Sequence, residues 1–250
     1  GDCTQLRAVV PGLPAFSGLT SYAYDSKGQL VQEVSERLGG YTDAYAYDAA
    51  GNPTTVRDAQ MPPYTATNQP AGEGYAYDGN GNPTLYGGAT LAYDPMNHLT
   101  AYRAPGEVVL MTAGYTGDGL RAWKEGLGGR TYYLYDGTQL VCELTDTGAV
   151  SAVMTWGALG LLARNDTWYQ CDVLGNVAHR LDGTGVVQSS HQYDAYGKGL
   201  VPGAASDPYG YKGQYGYYTD HLIGLILCTW RYYDPLAGRW LTRDPIGYIG

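Results

Sequence analysis

Tyr45-Ala-Tyr47-Asp48-Ala-Ala-Gly51-Asn52-Pro53-Thr54 is the clearest copy of a pattern that recurs along this chain. The preceding copy is Tyr22-Ala-Tyr24-Asp25-Ser-Lys-Gly28, and the following copy is Tyr75-Ala-Tyr77-Asp78-Gly-Asn-Gly81-Asn82-Pro83-Thr84. Further copies are Leu91-Ala-Tyr93-Asp94, Tyr133-Leu-Tyr135-Asp136-Gly137 and His191-Gln-Tyr193-Asp194-Ala-Tyr-Gly197, and degenerate copies are Tyr115-Thr-Gly117-Asp118-Gly119 and Tyr169-Gln-Cys171-Asp172-Val-Leu-Gly175-Asn176. A repeat at roughly 20-residue spacing sets the architecture before any local prediction is made.

Each copy predicts a strand, a tight turn and a second strand. Two tyrosines separated by one residue place both rings on the same face of an extended strand. The aspartate opens the turn, because its carboxylate accepts a hydrogen bond from the backbone N–H two residues later. The glycine three residues after the aspartate supplies the positive φ that a type I turn followed by a bulge requires. The predicted turn residues are Asp25, Gly28, Asp48, Gly51, Asp78, Gly81, Asp136, Asp172, Gly175, Asp194 and Gly197.

Regular short strands with glycine-rich turns indicate an all-β fold. No segment keeps a sustained 3.6-residue apolar period, and the best helix candidate, residues 222–230, is weakened by Gly224 and its β-branched neighbours. Residues 60–72 form the only proline-rich interruption. We interpret them as a long loop between two hairpins and not as a domain boundary.

The composition favours tyrosine, with 26 tyrosines against one phenylalanine. A sheet with one face lining a hollow or facing solvent would prefer the ring with a polar tip. Strand propensity combined with repeat ancestry explains the same bias. The net charge of −9 argues against nucleic acid and anionic membranes as partners, since their phosphates demand a basic face. The longest apolar stretch is too short to span a bilayer.

The sequence predicts no metal site and no cofactor. Asp78 to Asn82 matches the beginning of a calcium loop, but Pro83 and Ala89 stand where such a loop needs Gly and Glu. The four histidines lack HExxH spacing, and the four cysteines contain no CxxC pair. Strand cysteines are more often buried thiols, and two disulfides remain open.

The C-terminal part carries a second signature. Tyr211-Lys-Gly-Gln214-Tyr-Gly-Tyr-Tyr218-Thr-Asp-His-Leu-Ile-Gly224 leads into Arg231-Tyr232-Tyr233-Asp234-Pro235-Leu-Ala-Gly238-Arg239-Trp240 and Asp244-Pro245-Ile-Gly247. This segment closely resembles the Rhs repeat-associated core, with its RYYDP-x-x-GRF and DP-x-G motifs. The stretch from Tyr169 to Val177 is similar to the family's H-x-D-x-L-G-S/N-V strand. The resemblance to Rhs/YD-repeat proteins covers nearly the whole chain.

The resemblance implies a fold and a division of the chain. YD-repeat hairpins would form a spiralling antiparallel sheet that is part of a hollow shell or barrel. Residues 1–210 would be the YD-repeat β-shell segment, and residues 211–250 the N-terminal part of the Rhs repeat-associated core. In toxin complexes and Rhs polymorphic toxins such a shell encloses a cytotoxic C-terminal segment. In teneurins and wall-associated bacterial proteins a related barrel serves adhesion or surface display.

The resemblance also implies an aspartyl autoprotease, which frees the enclosed segment in the toxins. The family's core arginine falls on Arg231, and one catalytic aspartate falls on Asp244. The second aspartate belongs to a later DP-x-G motif, which this chain does not reach. Aspartic proteolysis needs one carboxylate to activate water while the other is protonated. We therefore expect a half-built site without enzymatic activity, with Asp244-Pro245 serving as a strand-ending turn like Asp94-Pro95.

Three functions compete on these grounds. The first is a structural shell segment of a secreted or surface bacterial Rhs-like protein, enclosing or displaying a C-terminal effector. The second is an extracellular adhesion or filament-forming protein that assembles head to tail through exposed strand edges. The third is a glycan-binding module built on strands rich in Tyr and Trp. In each case we expect a mature or excised piece, since it begins with Gly1, that works outside the cytoplasm without nucleic acid or membrane insertion.

Overall fold

The structure of the protein, a computed structural model, describes residues 3–201 and 207–244. All regular structure in those two ranges is β-strand or short 3-10 turn, so the predicted all-β fold is confirmed. The 3-10 turns are Pro14–Phe16, Arg37–Gly39 and Gly213–Tyr215. None of the described residues forms a helix long and apolar enough to cross a membrane.

The first sheet joins six antiparallel strands in chain order. They are β1 (Gln5–Ala8), β2 (Gly18–Tyr24), β3 (Leu30–Ser35), β4 (Tyr41–Tyr47), β5 (Pro53–Val56) and β6 (Ala59–Gln60). Leu30, Tyr45 and Val56 form its small core. Tyr196 packs edge-on against Tyr45, with the ring centroids 5.2 Å apart.

The second sheet joins thirteen antiparallel strands, again in chain order. They are β7 (Tyr75–Tyr77), β8 (Pro83–Tyr86), β9 (Ala89–Tyr93), β10 (Leu99–Ala104), β11 (Val108–Tyr115), β12 (Arg121–Gly126), β13 (Gly129–Asp136), β14 (Gln139–Leu144), β15 (Val150–Gly157), β16 (Gly160–Arg164), β17 (Thr167–Cys171), β18 (Val177–Leu181) and β19 (Val187–Ser190). Because neighbours in the sheet are also neighbours in sequence, each connection within it is a hairpin. The predicted hairpin series is therefore confirmed.

The third sheet comes from the segment that resembles the Rhs core. Its four antiparallel strands are β20 (Tyr218–Asp220), β21 (Leu225–Cys228), β22 (Arg231–Asp234) and β23 (Arg239–Trp240). The weak helix candidate over residues 222–230 is a turn followed by β21. All four side chains of β21 are buried, as in a strand covered on both faces.

Two apolar clusters support the second and third sheets. One cluster packs Leu99 and Met111 of the second sheet against Leu225 and Leu227 of the third. The other cluster is formed by Tyr133, Leu140, Ala152, Met154, Leu161, Tyr169, Val177 and Tyr209. Complete burial of one such leucine or methionine contributes about 1.5–3 kcal/mol, so these clusters fix the core segment on the hairpins.

Tyrosine is a core residue in this fold. The Tyr232 and Tyr133 side chains are 3% and 4% exposed, and the Tyr209 side chain is fully buried. Two of the hydroxyls inside the core bind a carboxylate and a carbonyl: Tyr232 donates to Asp220 at 2.7 Å and Tyr115 donates to the Leu99 carbonyl at 2.8 Å. The sequence analysis linked the tyrosine hydroxyl to a sheet face that lines a hollow or faces solvent. At these positions the hydroxyl instead satisfies buried acceptors.

The described residues divide into two compact units. The first unit consists of the chain up to Gly72 together with two later segments, Asp194–Lys198 and Leu236–Gly238. The second unit consists of Glu73–Tyr193 and most of the remaining chain. Residues 60–72 lie in the connection between the β5–β6 and β7–β8 hairpins, as predicted. The expectation that no boundary lies there is wrong, because β6 and β7 belong to different sheets. The division between residues 210 and 211 stays a prediction.

Candidate functional site

One carboxylate oxygen closes most of the aspartate turns. In the first turn, Asp25 Oδ1 accepts from the backbone N–H of Lys27 at 2.8 Å and of Gln29 at 2.9 Å. The Gly28 N–H donates to the Asp25 carbonyl at 3.0 Å, and Gly28 has a φ of 77°. The strand register shifts beside the turn, which makes it a type I turn followed by a bulge. The same two carboxylate bonds occur at Asp48, Asp78, Asp94, Asp172, Asp182 and Asp194.

Asparagine directly after the turn glycine adds a third bond, which sequence reasoning missed. Asn52, Asn82 and Asn176 each donate through Nδ2 to the second carboxylate oxygen of their own aspartate at 2.9 Å. These bonds favour the ionised aspartate, and the bond from Asn52 is the largest cause that lowers the pKa of Asp48. The signal was present in the sequence, because all three asparagines follow the glycine of a quoted repeat.

Neighbouring turns are also linked through these asparagines. The Asn82 amide reaches Asn97 Oδ1 in the next turn along the same edge at 2.7 Å, and Asn176 Oδ1 accepts from the Lys212 N–H at 3.0 Å. Asn82 is 2% exposed and Asn176 is 4% exposed. A buried amide therefore joins the Asp78 turn to the turn that contains Asn97, and another joins the Asp172 turn to the segment that precedes the third sheet.

Two predicted turns are built differently. Asp136 pairs with Gln139 across a two-residue turn, and its exposed carboxylate makes neither of the two backbone bonds described above. In the degenerate copy around Asp118, the residue that opens the turn is Thr116, whose Oγ1 accepts from the Leu120 N–H at 3.2 Å. Thr65 and Thr145 open turns in the same way. The hydroxyl replaces the carboxylate because the turn needs only one side-chain acceptor.

A buried ionic cluster connects the second sheet to the third. Arg121 Nη1 on β12 lies 2.5 Å from Asp220 Oδ2 on β20, and Lys124 Nζ lies 2.6 Å from Asp220 Oδ1. The Arg121 guanidinium lies 4.7 Å from the ring centroids of both Tyr133 and Tyr218. Burial alone would raise the pKa of Asp220, but Arg121 and then Lys124 hold that pKa below its usual value. Sequence reasoning missed this cluster, since its members are far apart in the chain.

A second buried carboxylate supports the first unit. Glu33 on β3 is fully buried and accepts from the Ala195 N–H at 2.8 Å and from the Tyr41 hydroxyl at 2.8 Å. Burial raises the pKa of Glu33 above its usual value. The predicted turn residue Asp194 pairs with Arg57, whose Nη2 lies 3.0 Å from Asp194 Oδ1. Asp194 therefore closes its own turn and also binds Arg57, which directly follows β5.

A histidine is buried against an arginine near the end of the second sheet. His191 Nε2 lies 2.8 Å from Arg180 Nη1 and 2.8 Å from Ser189 Oγ. Since Arg180 can only donate, His191 Nε2 is the acceptor and the ring is neutral. Burial, and then the positive charge of Arg180, lower the pKa of His191 to about 4.

The structure brings together the two residues predicted for family chemistry. Arg231 Nη2 lies 2.7 Å from Asp244 Oδ2, and the Arg231 guanidinium stacks 4.2 Å from the Trp240 ring centroid. The Asp244 side chain is 37% exposed, so this is a surface ion pair worth at most about 1 kcal/mol. Pro245 and Gly247 of the DP-x-G motif lie outside the described residues. A catalytic role for Asp244 and Arg231 stays a prediction.

The cysteines and the metal-binding side chains add no further site. Cys3, Cys142, Cys171 and Cys228 are free thiols. Burial raises the pKa of the Cys171 thiol to about 11, which makes it a poor nucleophile. Residues 3–201 and 207–244 contain no group of three or more His, Cys, Asp or Glu side chains that could hold a metal ion.

Comparison with known protein families identifies the family to which these features belong. The sequence profile of the Teneurin YD-shell family matches residues 7–248. The chain belongs to this family. As a YD-shell chain, it combines the aspartate turns of the hairpins with the core segment that ends in Arg231 and Asp244.

Individual relatives are longer proteins. This YD-shell chain is 33% identical over 241 residues to the tRNA3(Ser)-specific nuclease WapA of Bacillus spizizenii, a match that covers 89% of the chain and 10% of the relative. It is 30% identical over 146 residues to the double-stranded DNA deaminase toxin A of Burkholderia cenocepacia, covering 47% of the chain and 10% of that toxin. The chain thus spans about a tenth of the length of these curated relatives.

The fold matches that of a solved crystal structure. A chain in the crystal structure titled TcdB2-TccC3-TEV superposes with a TM-score of 0.60 at 20% sequence identity, covering 97% of the YD-shell chain and 13% of the other chain. At this identity the likeness establishes the fold alone.

The turn carboxylates should differ in their contribution to stability. Asp172→Ala removes the acceptor of two backbone N–H groups and of the buried Asn176 amide, so we expect it to lower the free energy of unfolding by about 1–2 kcal/mol. Asp136→Ala is the matched control, and its effect should stay within about 0.5 kcal/mol. Urea unfolding followed by tryptophan fluorescence measures both. Equal losses in the two variants would contradict the assignment of the turn bonds.

His191 should make the fold sensitive to acid. Its pKa of about 4 in the fold lies below the value of about 6.5 expected in the unfolded chain, so the unfolded chain binds the proton first. The contribution of the neutral ring is complete above about pH 6.5 and is lost as the pH falls toward 4, and we expect a loss of about 1–3 kcal/mol. His191→Gln keeps an acceptor for Arg180 without titrating, so its urea midpoint should change less between about pH 7 and pH 4.5. An unchanged pH dependence in His191→Gln would contradict this assignment.

Proposed function

We propose that this chain is a structural segment of a larger secreted or surface protein of the Rhs type. Its hairpins form part of a wall that encloses or displays a C-terminal effector, and the segment itself is not an enzyme. The observation that carries the proposal is the thirteen-stranded sheet in chain order, in which each hairpin pairs only with its sequence neighbours. Such a sheet grows by adding hairpins and can become a wall of any extent.

The printed activities of the relatives support a structural role. One relative is named a tRNA nuclease and another a double-stranded DNA deaminase toxin, although both share sequence with this chain. Two different chemistries do not arise from one shared segment that covers about a tenth of each protein. The shared segment is more simply the common wall, and the chemistry belongs to other parts of those proteins. The net charge of −9 fits a segment that does not itself bind nucleic acid.

The buried ionic clusters support a rigid wall. Arg121, Lys124 and Asp220 connect residues almost a hundred positions apart in sequence, with contacts of 2.5 and 2.6 Å. Removing one partner from such a buried pair typically costs about 3–5 kcal/mol, so the cluster strongly disfavours separation of the core segment from the hairpins.

The full-length protein allows enclosure and release to be tested together. Asp244→Asn removes the charge from a partly exposed ion pair with Arg231, so the fold should survive the change. If Asp244 takes part in autoproteolysis, the variant should retain its C-terminal segment covalently, whereas the unmodified protein releases it. The retained segment should also resist an added protease if the wall encloses it. Gel electrophoresis after brief proteolysis measures both, and Asp166→Asn is the control for loss of one exposed charge.

The two parts of this proposal can fail separately. Unchanged release by Asp244→Asn would remove the proteolytic role and leave enclosure standing. Rapid digestion of the retained segment would contradict enclosure and would favour display of that segment on the outside of the wall.

Self-association through strand edges is a second candidate function. β19 ends the thirteen-stranded sheet and pairs with β18 alone among the described strands, and the Val187 side chain on β19 is 42% exposed. An open edge with exposed β-branched residues pairs readily with a strand of another chain. A head-to-tail contact that does not close would give filaments.

Filament formation should depend on the β19 edge. Val187→Lys places a charge on that edge and should abolish any filaments seen by negative-stain electron microscopy, because desolvating a lysine opposes strand pairing. Val150→Lys is the control, since Val150 is 63% exposed on a strand in the middle of the sheet. A purified chain that stays monomeric in light scattering at every concentration would reject this second function.

A further inference from the structure

Two carboxylates lie directly opposite each other in the first sheet. Glu33 on β3 pairs with Asp43 on β4, and cross-strand partners carry their side chains on the same face of a sheet. Like charges in this position repel each other. Because Glu33 is fully buried, water screens this repulsion much less than it would at the surface.

A third carboxylate adds to the negative charge of this pair. Asp194 belongs to the turn at residues 194–198, which is part of the same compact unit. Arg57 donates through Nε and Nη2 to Asp194 and through Nη1 to the Leu236 carbonyl, so its guanidinium faces Asp194. The other titratable or charged groups around the two carboxylates, among the described residues, are Tyr22 on β2, Tyr41 and Tyr45 on β4, Asp58 after β5 and Lys198 in the turn.

The contacts of Glu33 fit a carboxyl that carries a proton. Its Oε2 accepts from the Ala195 N–H at 2.8 Å, and a neutral carboxyl keeps this bond through its unprotonated oxygen. Its Oε1 lies 2.8 Å from the Tyr41 hydroxyl, which can accept as well as donate. A proton on Oε1 therefore reverses the second bond and breaks neither. Burial is the largest cause that raises the pKa of Glu33, and the charges of Asp194 and Asp43 raise it further.

The turn at residues 194–198 is attached to the first sheet at the same place. The Ala195 N–H bond to Glu33 is one attachment. Tyr196 adds others, since its ring packs edge-on against Tyr45 and its hydroxyl bonds to the Tyr47 hydroxyl. Any repulsion at Glu33 therefore acts directly beneath this turn.

We propose that Glu33 is a proton-operated clamp, which in its neutral form holds the turn at residues 194–198 against the first sheet. Loss of the proton places a buried negative charge beside Asp43 and Asp194, so the clamp loosens as the pH rises. A group whose pKa is higher in the fold than in the unfolded chain stabilises the fold in acid. Its contribution is lost as the pH rises through the folded value.

Amide hydrogen exchange on the purified chain tests the clamp. Mass spectrometry of a peptide that contains residues 194–198, corrected for the intrinsic exchange rate, reports how tightly the turn is held. Its protection should fall by at least about threefold between about pH 5.5 and pH 8. Glu33→Gln keeps an oxygen for the Ala195 N–H and a donor for Tyr41 but cannot titrate. This variant should keep its protection across the range and exceed the unmodified chain at the alkaline end.

Asp43→Asn tests the same clamp in a chain that retains Glu33. Removing the opposite charge makes ionisation of Glu33 less costly, so the loss of protection with rising pH should shrink. Glu36→Gln is the matched control, because Glu36 directly follows β3, is exposed and binds the Leu19 N–H. It should keep the dependence of the unmodified chain. Protection that does not fall as the pH rises, a full dependence in Glu33→Gln, or an unchanged dependence in Asp43→Asn would each overturn the proposal.

Discussion

A single side-chain oxygen that accepts two backbone N–H groups is the constraint on which the rest of this fold depends. In the turn at Asp78, Oδ1 binds the N–H of Asn80 and of Asn82, each at 2.9 Å, and thereby fixes which residue of the second strand faces which residue of the first. In a sheet, a shift of one residue would exchange the buried and exposed faces of a whole strand. The register that brings Leu91 on β9 and Leu99 on β10 into one cluster is therefore set locally, by the turn at Asp94 between these two strands.

Tyrosine side chains donate hydrogen bonds to carboxylates inside this fold. A wall built from short strands brings several carboxylates into its interior, and each needs donors. Tyrosine supplies a ring that packs and a hydroxyl that donates, as Tyr169 does to Asp207 at 2.9 Å and Tyr86 does to Asp234 at 2.9 Å. Phenylalanine would remove one hydrogen bond from each of these carboxylates, at a cost of about 1–3 kcal/mol each. The excess of tyrosine over phenylalanine thus follows from the chemistry of the interior as well as from strand propensity.

The turns that are local in sequence and repeated along the chain could be predicted from the sequence. The turns at Asp25, Asp48 and Asp78 follow from the residue types and their spacing. Asp136 follows a tyrosine as in the other copies, but its turn has only two residues. In the copy around Asp118, the Thr116 hydroxyl takes the place of the carboxylate, because a turn accepts any suitable acceptor at its first position. The boundary after residue 72 was missed, since a loop between hairpins has the same composition whether the next strand joins the same sheet or begins another.

The cluster around Arg121 could not be predicted, and the reason is physical. Its contacts with Asp220 and Tyr232 join residues separated by 99 and 111 positions, and no period or motif connects such residues in sequence. The backbone pairing of the hairpins joins only strands that are neighbours in the chain, whereas the core segment adds contacts between residues that are far apart in sequence. The hairpin series shows the same limit over a shorter distance. Glu143 on β14 and Arg164 on β16 form a partly buried ion pair although their strands are separated by β15, and no turn motif places one of them opposite the other. Side-chain contacts that skip a strand depend on how the sheet twists and packs, so the repeat pattern does not reveal them.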